Sequence, residues 1–97
     1  DAMTAYWVNV YREISDPDKM AACAALAAPA LTGAGGRFIA RGLAEAAFED
    51  GQLERVVIIE FDSVDAAVAA HNSPAYAEAL AALDGGAVRD LRIVPGD

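Results

Sequence analysis

The chain has 97 residues, enough for one domain with one core. Fifteen acidic against seven basic residues give a net charge of −8 with no basic stripe of the kind that grips phosphate, so nucleic acid and anionic membrane are not expected partners. Apolar residues make up 56% of the chain but aromatics only 7%, and much of the apolar content is alanine; part of the buried surface is therefore expected to come from a partner subunit.

Cys23 is the single cysteine and has no internal disulfide partner, which fits a reducing cytoplasm. No apolar run reaches the ~18 residues of a membrane span. Asp1 and Ala2 precede Met3 and read as an added remnant, so the expected unit is a single domain over residues 3–97.

Ala5 to Tyr11, rich in Tyr, Trp and Val, predicts a first strand. Asp16-Pro17 opens a helix, with aspartate as cap and proline at the first helical position. Met20, Cys23, Ala24, Ala27 and Leu31 form its apolar stripe, and Pro29 is expected to kink it or end it early. Gly33, Gly35 and Gly36 supply the stop. Arg37 to about Phe48 predicts a second strand, fraying beyond Gly42. Glu49-Asp50-Gly51 predicts a hairpin turn, with positive φ favoured at Asp-Gly. The third strand is expected over Leu53 to Phe61. Ser63 caps the next helix, with Val64, Ala67, Val68 and His71 as its stripe. Ser73-Pro74 restarts it, with Tyr76, Leu80 and Leu83 on one face, and Gly85-Gly86 ends it. Leu91 to Val94 closes the chain as a fourth strand. The β-α-β-β-α-β order predicts an α+β, ferredoxin-like domain with a four-stranded antiparallel sheet and helices on one face.

Alternation along the strands divides the side chains into two sets. Tyr6, Val8, Val10, Phe38, Ala40, Val57, Ile59, Phe61, Leu91 and Ile93 are expected beneath the helices. Trp7, Asn9, Tyr11, Arg37, Ile39, Arg41, Val56, Ile58, Glu60, Arg92 and Val94 are expected on the open face, which is too apolar to meet only water. Two such faces stacked together predict a homodimer with a shared interior.

Five stretches, Ala5-Tyr6-Trp7, the run Gly35-Gly36-Arg37-Phe38-Ile39-Ala40-Arg41-Gly42, Val56 to Phe61, Ser73-Pro74-Ala75-Tyr76 and Arg89 to Val94, resemble the DUF1330 family of the dimeric α/β-barrel superfamily. The resemblance implies a homodimer whose two sheets close a barrel. Superfamily relatives include monooxygenases, isomerases and dehalogenating enzymes acting on small organic molecules. The chain departs from similar members at His71, where they tend to carry an aromatic, and near Leu83 and Asp84, where they tend to carry an arginine.

Candidate site residues follow. His71, the only histidine, is either a general acid or base or a helix-end residue meeting the last carbonyls. Glu60, with Arg41 expected on its face, is either a base or half of an ion pair at the dimer seam. Asn9 offers a donor and an acceptor to a ligand, or to the partner subunit. Trp7 belongs to the same open face. Tyr76 either turns its hydroxyl into a cleft or packs in the core, and Cys23 reads as a buried thiol. One His and one Cys, far apart, make no metal set, and the diglycines lack the pattern of a phosphate loop, so neither metal nor bound cofactor is expected.

The functional expectation is a small dimeric protein that binds or transforms a small organic metabolite. Transformation would rest on proton transfer by His71 or Glu60, with Asn9, Arg41, Tyr76 and Trp7 as ligand contacts. The alternative is a non-catalytic homodimeric binding or structural module. A cavity of roughly 300 Å³ or more walled by His71 or Glu60 would favour the first, and a collapsed interior with Arg41 paired to Glu60 the second.

Overall fold

The structure, a computed structural model, describes residues 4–97. The remnant at residues 1–2 and the start at Met3 lie outside the described residues. The elements run β1 (Ala5–Ile14), α1 (Pro17–Gly33), β2 (Arg37–Leu43), β3 (Arg55–Phe61), α2 (Val64–His71), α3 (Pro74–Leu83) and β4 (Ala87–Pro95). The four strands form one antiparallel sheet in the order β2-β3-β1-β4, with the helices over one face. This is the ferredoxin-like fold, its second helix split in two.

Local chemistry sets the helix starts. Asp16 accepts from the backbone N–H groups of Asp18 and Lys19, Ser63 from Ala66, and Ser73 from Tyr76. Asp84 (φ 42°) and Gly85 (φ 71°) terminate α3 in the left-handed region. Gly36, after α1, has a different role. A Cβ there would sit 2.9 Å from Ile59 Cγ2, Leu31 O and Phe61 Cζ, so its missing side chain lets the chain pass close to the sheet.

Several expectations are corrected. Helix α1 runs through Pro29 to Gly33; Pro29 and Ala25 are exposed, so the Ala25 carbonyl that the ring leaves without a partner faces water. Strand β2 stops at Leu43, β3 begins at Arg55, and the chain between them is irregular. In its turn the positive φ falls on Glu49 (56°), not on Asp50 or Gly51. On α2 the buried residues are Ala67 and Ala70, while Val64 and Val68 are exposed.

The largest correction concerns β1. Ala5, Trp7, Asn9 and Tyr11 face the helices, and Tyr6, Val8 and Val10 lie on the other face, the reverse of the expected assignment. The register shows why. Trp7 is opposite Ile59 and Ile93, and Asn9 opposite Val57 and Leu91, so these residues share one side of the pleat. The helices that cover this side are rich in alanine, leaving depth that only large aromatic side chains can fill. A bulge at Ile39 reverses β2 part-way along. Phe38 points inward beside Ile59, Ala40 outward beside Ile58, and Arg41 inward beside Val57. Arg41 therefore lies on the face opposite to Glu60.

The outer face remains apolar after these exchanges. Val8, Val10, Val56, Ile58 and Tyr6 are half-buried there, Val94 is 46% exposed and Ile39 is 54% exposed.

Candidate functional site

The inner face of the sheet is graded along its strands. One row across it, Phe38, Ile59, Trp7 and Ile93, is apolar. The next, Arg41, Val57, Asn9 and Leu91, is mixed. At the end of the face, Arg55 and Arg89 flank Tyr11, each guanidinium carbon 5.8 Å from the centre of its ring.

Over this gradient lies a cavity of about 40 Å³ between the sheet and α1. Its helical wall is Ala24, Ala27 and Ala28 with Cys23 and Leu31; the alanines leave the space that longer side chains would close. Two buried polar atoms in the residues lining it have no hydrogen-bond partner, Asn9 Oδ1 and Arg55 Nε. Asn9 is 5% exposed and is the buried polar residue of the core. Leaving such groups unpaired costs about 1–3 kcal/mol each, so they mark a place where a guest or an ordered water belongs.

The neighbouring groups are held in place. Arg41 stacks on Phe38, its guanidinium carbon 4.4 Å from the ring centre. Arg89 Nη2 donates to the Tyr76 hydroxyl at 3.4 Å. Burial pushes the Tyr76 phenol above its ordinary pKa, with Arg89 opposing the shift, and burial likewise raises the Cys23 thiol. Both therefore stay neutral near pH 7. Tyr76 packs edge-on to Trp7 at 5.2 Å, and His71 lies 5.8 Å from Trp7 and 5.3 Å from Tyr76.

Trp7, Asn9, Arg41 and Tyr76 all line this cavity, although three of them were expected on the open face or at the dimer seam. His71 and Glu60 do not line it. His71 closes α2 behind the aromatic pair, its Nδ1 3.1 Å from Asn72 Oδ1. Glu60 sits on the outer face, accepting from Arg37 Nε at 3.0 Å and from the Tyr6 hydroxyl at 3.3 Å. Neither arrangement set out from the sequence is present: the cavity is far smaller than 300 Å³, and Arg41 is not paired with Glu60. Arg55 and Arg89 escaped the sequence reading. Their signal was parity, since Arg55 is in step with Val57 and Ile59, and Arg89 with Leu91 and Ile93. A wider depression of about 580 Å³ lies open beside Leu43 and Val56 at the sheet edge, with no buried polar group to orient a guest.

A family model described as a domain of unknown function, DUF1330, matches residues 4–97. The chain belongs to the DUF1330 family. No curated protein matches it. Among solved structures, this DUF1330 chain is similar to a protein of unknown function from Rhodopseudomonas palustris, with 25% identity, a TM-score of 0.71, and coverage of 99% of this chain and 82% of that one. It is also similar to SnoaB, a cofactor-independent oxygenase from Streptomyces nogalater, with 19% identity, a TM-score of 0.71, and coverage of 99% and 95%. A third is a dimeric ferredoxin-like protein of unknown function from Thermobifida fusca, with 18% identity, a TM-score of 0.69, and coverage of 99% and 93%. At the last two identities the likeness shows the fold alone.

Among the described residues no helix is long and apolar enough to cross a membrane, and no cluster of His, Cys, Asp or Glu is disposed to hold a metal ion.

Proposed function

We propose that this DUF1330 protein is a homodimer that binds a small organic compound in the cavity between α1 and the inner face of the sheet. The observation that carries this reading is the pair of unpartnered buried atoms, Asn9 Oδ1 and Arg55 Nε, in the lining of a space with an apolar remainder. A ligand presenting an acceptor to Arg55 and a donor to Asn9 satisfies both. The candidates for proton transfer, His71 and Glu60, stand outside the cavity, which favours binding over transformation by those two groups.

The dimer is supported by the outer face. Tyr6, Val8, Val10, Val56 and Ile58 are half-buried within one chain, and each large side chain gains roughly 1.5–3 kcal/mol when fully covered. A like-folded neighbour named as dimeric agrees with this. The free, buried Cys23 fits a reducing compartment such as the cytoplasm.

Native mass spectrometry of gently purified protein tests both parts. The expected result is a dimer carrying up to one small organic molecule per chain, released on denaturation. A monomer at micromolar concentration would contradict the assembly. Failure of a broad metabolite set to bind or to raise the melting temperature would contradict the cavity.

A further inference from the structure

Resting on the cavity reading above, we infer that its ligand is a small organic acid, held by its carboxylate among Arg41, Arg55 and Arg89. The chain has seven Lys and Arg residues. Four are paired with carboxylates. Arg12 and Arg92 meet Asp90 at 3.1 and 2.9 Å, Lys19 meets Asp84 at 2.9 Å, and Arg37 meets Glu60 at 3.0 Å and Asp62 at 3.1 Å. The remaining three have no ion pair with any described carboxylate, and they are the three that line the cavity. No Asp or Glu shares that lining. In a chain with more than two acidic residues for every basic one, this segregation runs against composition.

The neighbours do not neutralise the cluster. The Tyr76 phenol and Cys23 thiol are both held in their neutral forms by burial, and Asn9 carries no charge. Arg41 is exposed at the mouth while Arg55 and Arg89 are half-buried; like charges so placed repel one another, and an anion among them relieves that repulsion. Arginine suits a carboxylate in particular, because its planar fork meets both oxygens. Arg55 Nε is one such donor, buried and unpartnered on a residue that lines the site.

The rest of the lining specifies what the carboxylate is attached to. From the arginine end the cavity passes to Val57, then to Trp7, Phe38 and Leu31, all apolar. The compound is therefore amphipathic, with an acidic head at the Arg55–Arg89 end and an apolar body toward Trp7. Asn9, between the two, accepts from a hydroxyl or N–H near the head.

Trp7 is the only tryptophan and forms part of the wall, so its emission reports occupancy. The test titrates the protein with formate, acetate and propionate, sized to the cavity of about 40 Å³, each beside its primary amide. The acids are expected to change Trp7 emission with affinities about tenfold or more above the matching amides, since a charge-assisted hydrogen bond is worth about 1.5–3 kcal/mol. Arg55→Gln and Arg89→Gln should each weaken the acids by about tenfold or more, while Arg92→Gln, on the outer face, should leave them within about twofold. Equal binding of acids and amides would overturn the inference and leave the cavity reading intact. Acid binding that survives both inner-face substitutions would also overturn it. If neither acids nor amides alter Trp7 emission, the cavity reading fails together with the inference. The acid–amide comparison is made on the unaltered protein, so it stands even if a variant folds poorly.

Discussion

The two faces of the sheet are built from the same strands and treat charge in opposite ways. On the outer face each arginine is tied to a carboxylate, Arg37 to Glu60 and Arg92 to Asp90, and the side chains between them are aliphatic apart from Tyr6, which donates to Glu60. On the inner face the arginines at the end of the gradient have no carboxylate partner, and the side chains between them are aromatic or amide. Neutralised charge amid valine and isoleucine suits packing against a second sheet, where an unpaired ion would be costly. Uncompensated charge around a small space suits recognition of a guest that supplies the opposite sign. The proposed assembly and the proposed ligand binding would thus be separated by the thickness of one strand layer, with alternation within a strand placing each residue on one face or the other.

Substitutions on one face at a time break this comparison most clearly. The largest effect is expected from Trp7→Ala, which empties the centre of the inner face. Trp7 is 1% exposed, and its loss should cost about 3–5 kcal/mol in chemical denaturation. A loss below about 1 kcal/mol would mean that β1 does not present Trp7 to the helices. Next comes Ile58→Asp on the outer face. It should convert the dimer to monomer in sedimentation while the acid-dependent change in Trp7 emission persists; an unaltered dimer would place the interface elsewhere.

Asn9→Leu probes the cost of keeping a site. Replacing an unpaired buried amide with a side chain of similar size should stabilise the ligand-free protein by about 1 kcal/mol and remove any preference for acids that carry a hydroxyl or N–H near the carboxylate. A destabilised variant with normal binding would mean that Asn9 is satisfied in the fold and plays no part in recognition. The smallest effect concerns the rim. Lys19 holds the Asp84 carboxyl below its ordinary pKa through a hydrogen bond and charge attraction. The pair therefore stabilises the fold above pH 4 and loses its effect as pH falls through the depressed value. Asp84→Asn keeps a residue tolerant of the left-handed backbone at φ 42° and removes the charge. Melting temperatures of the two proteins should differ slightly at pH 7 and converge toward pH 2; a constant difference would contradict the pairing.

Much of the fold was legible in the sequence because it rests on local chemistry. Asp16, Ser63 and Ser73 announce their helices through side-chain capping, and Pro17 and Pro74 follow two of these caps at positions where no donor is needed. The face of β1 was not legible. Tyr6-Val8-Val10 and Trp7-Asn9-Tyr11 are both apolar enough to be covered, and when both sides of a sheet are covered, alternation no longer identifies the inside. Pairing with Ile59 and Ile93 decides it. The bulge at Ile39 has no sequence signature in Arg37-Phe38-Ile39-Ala40-Arg41, yet it brings Arg41 to the cavity. Asn9, Arg41, Tyr76 and Trp7 come from two strands and a helix, and only the folded arrangement shows that they line one space.

The decisive measurement is a crystal structure of the protein soaked with acetate. The carboxylate is expected within hydrogen-bond distance of Arg55 and Arg89, with its methyl group directed toward Trp7. Acetate bound only on the outer face, or an inner cavity closed by carboxylate partners for those arginines, would overturn the assignment of the inner face to an acid.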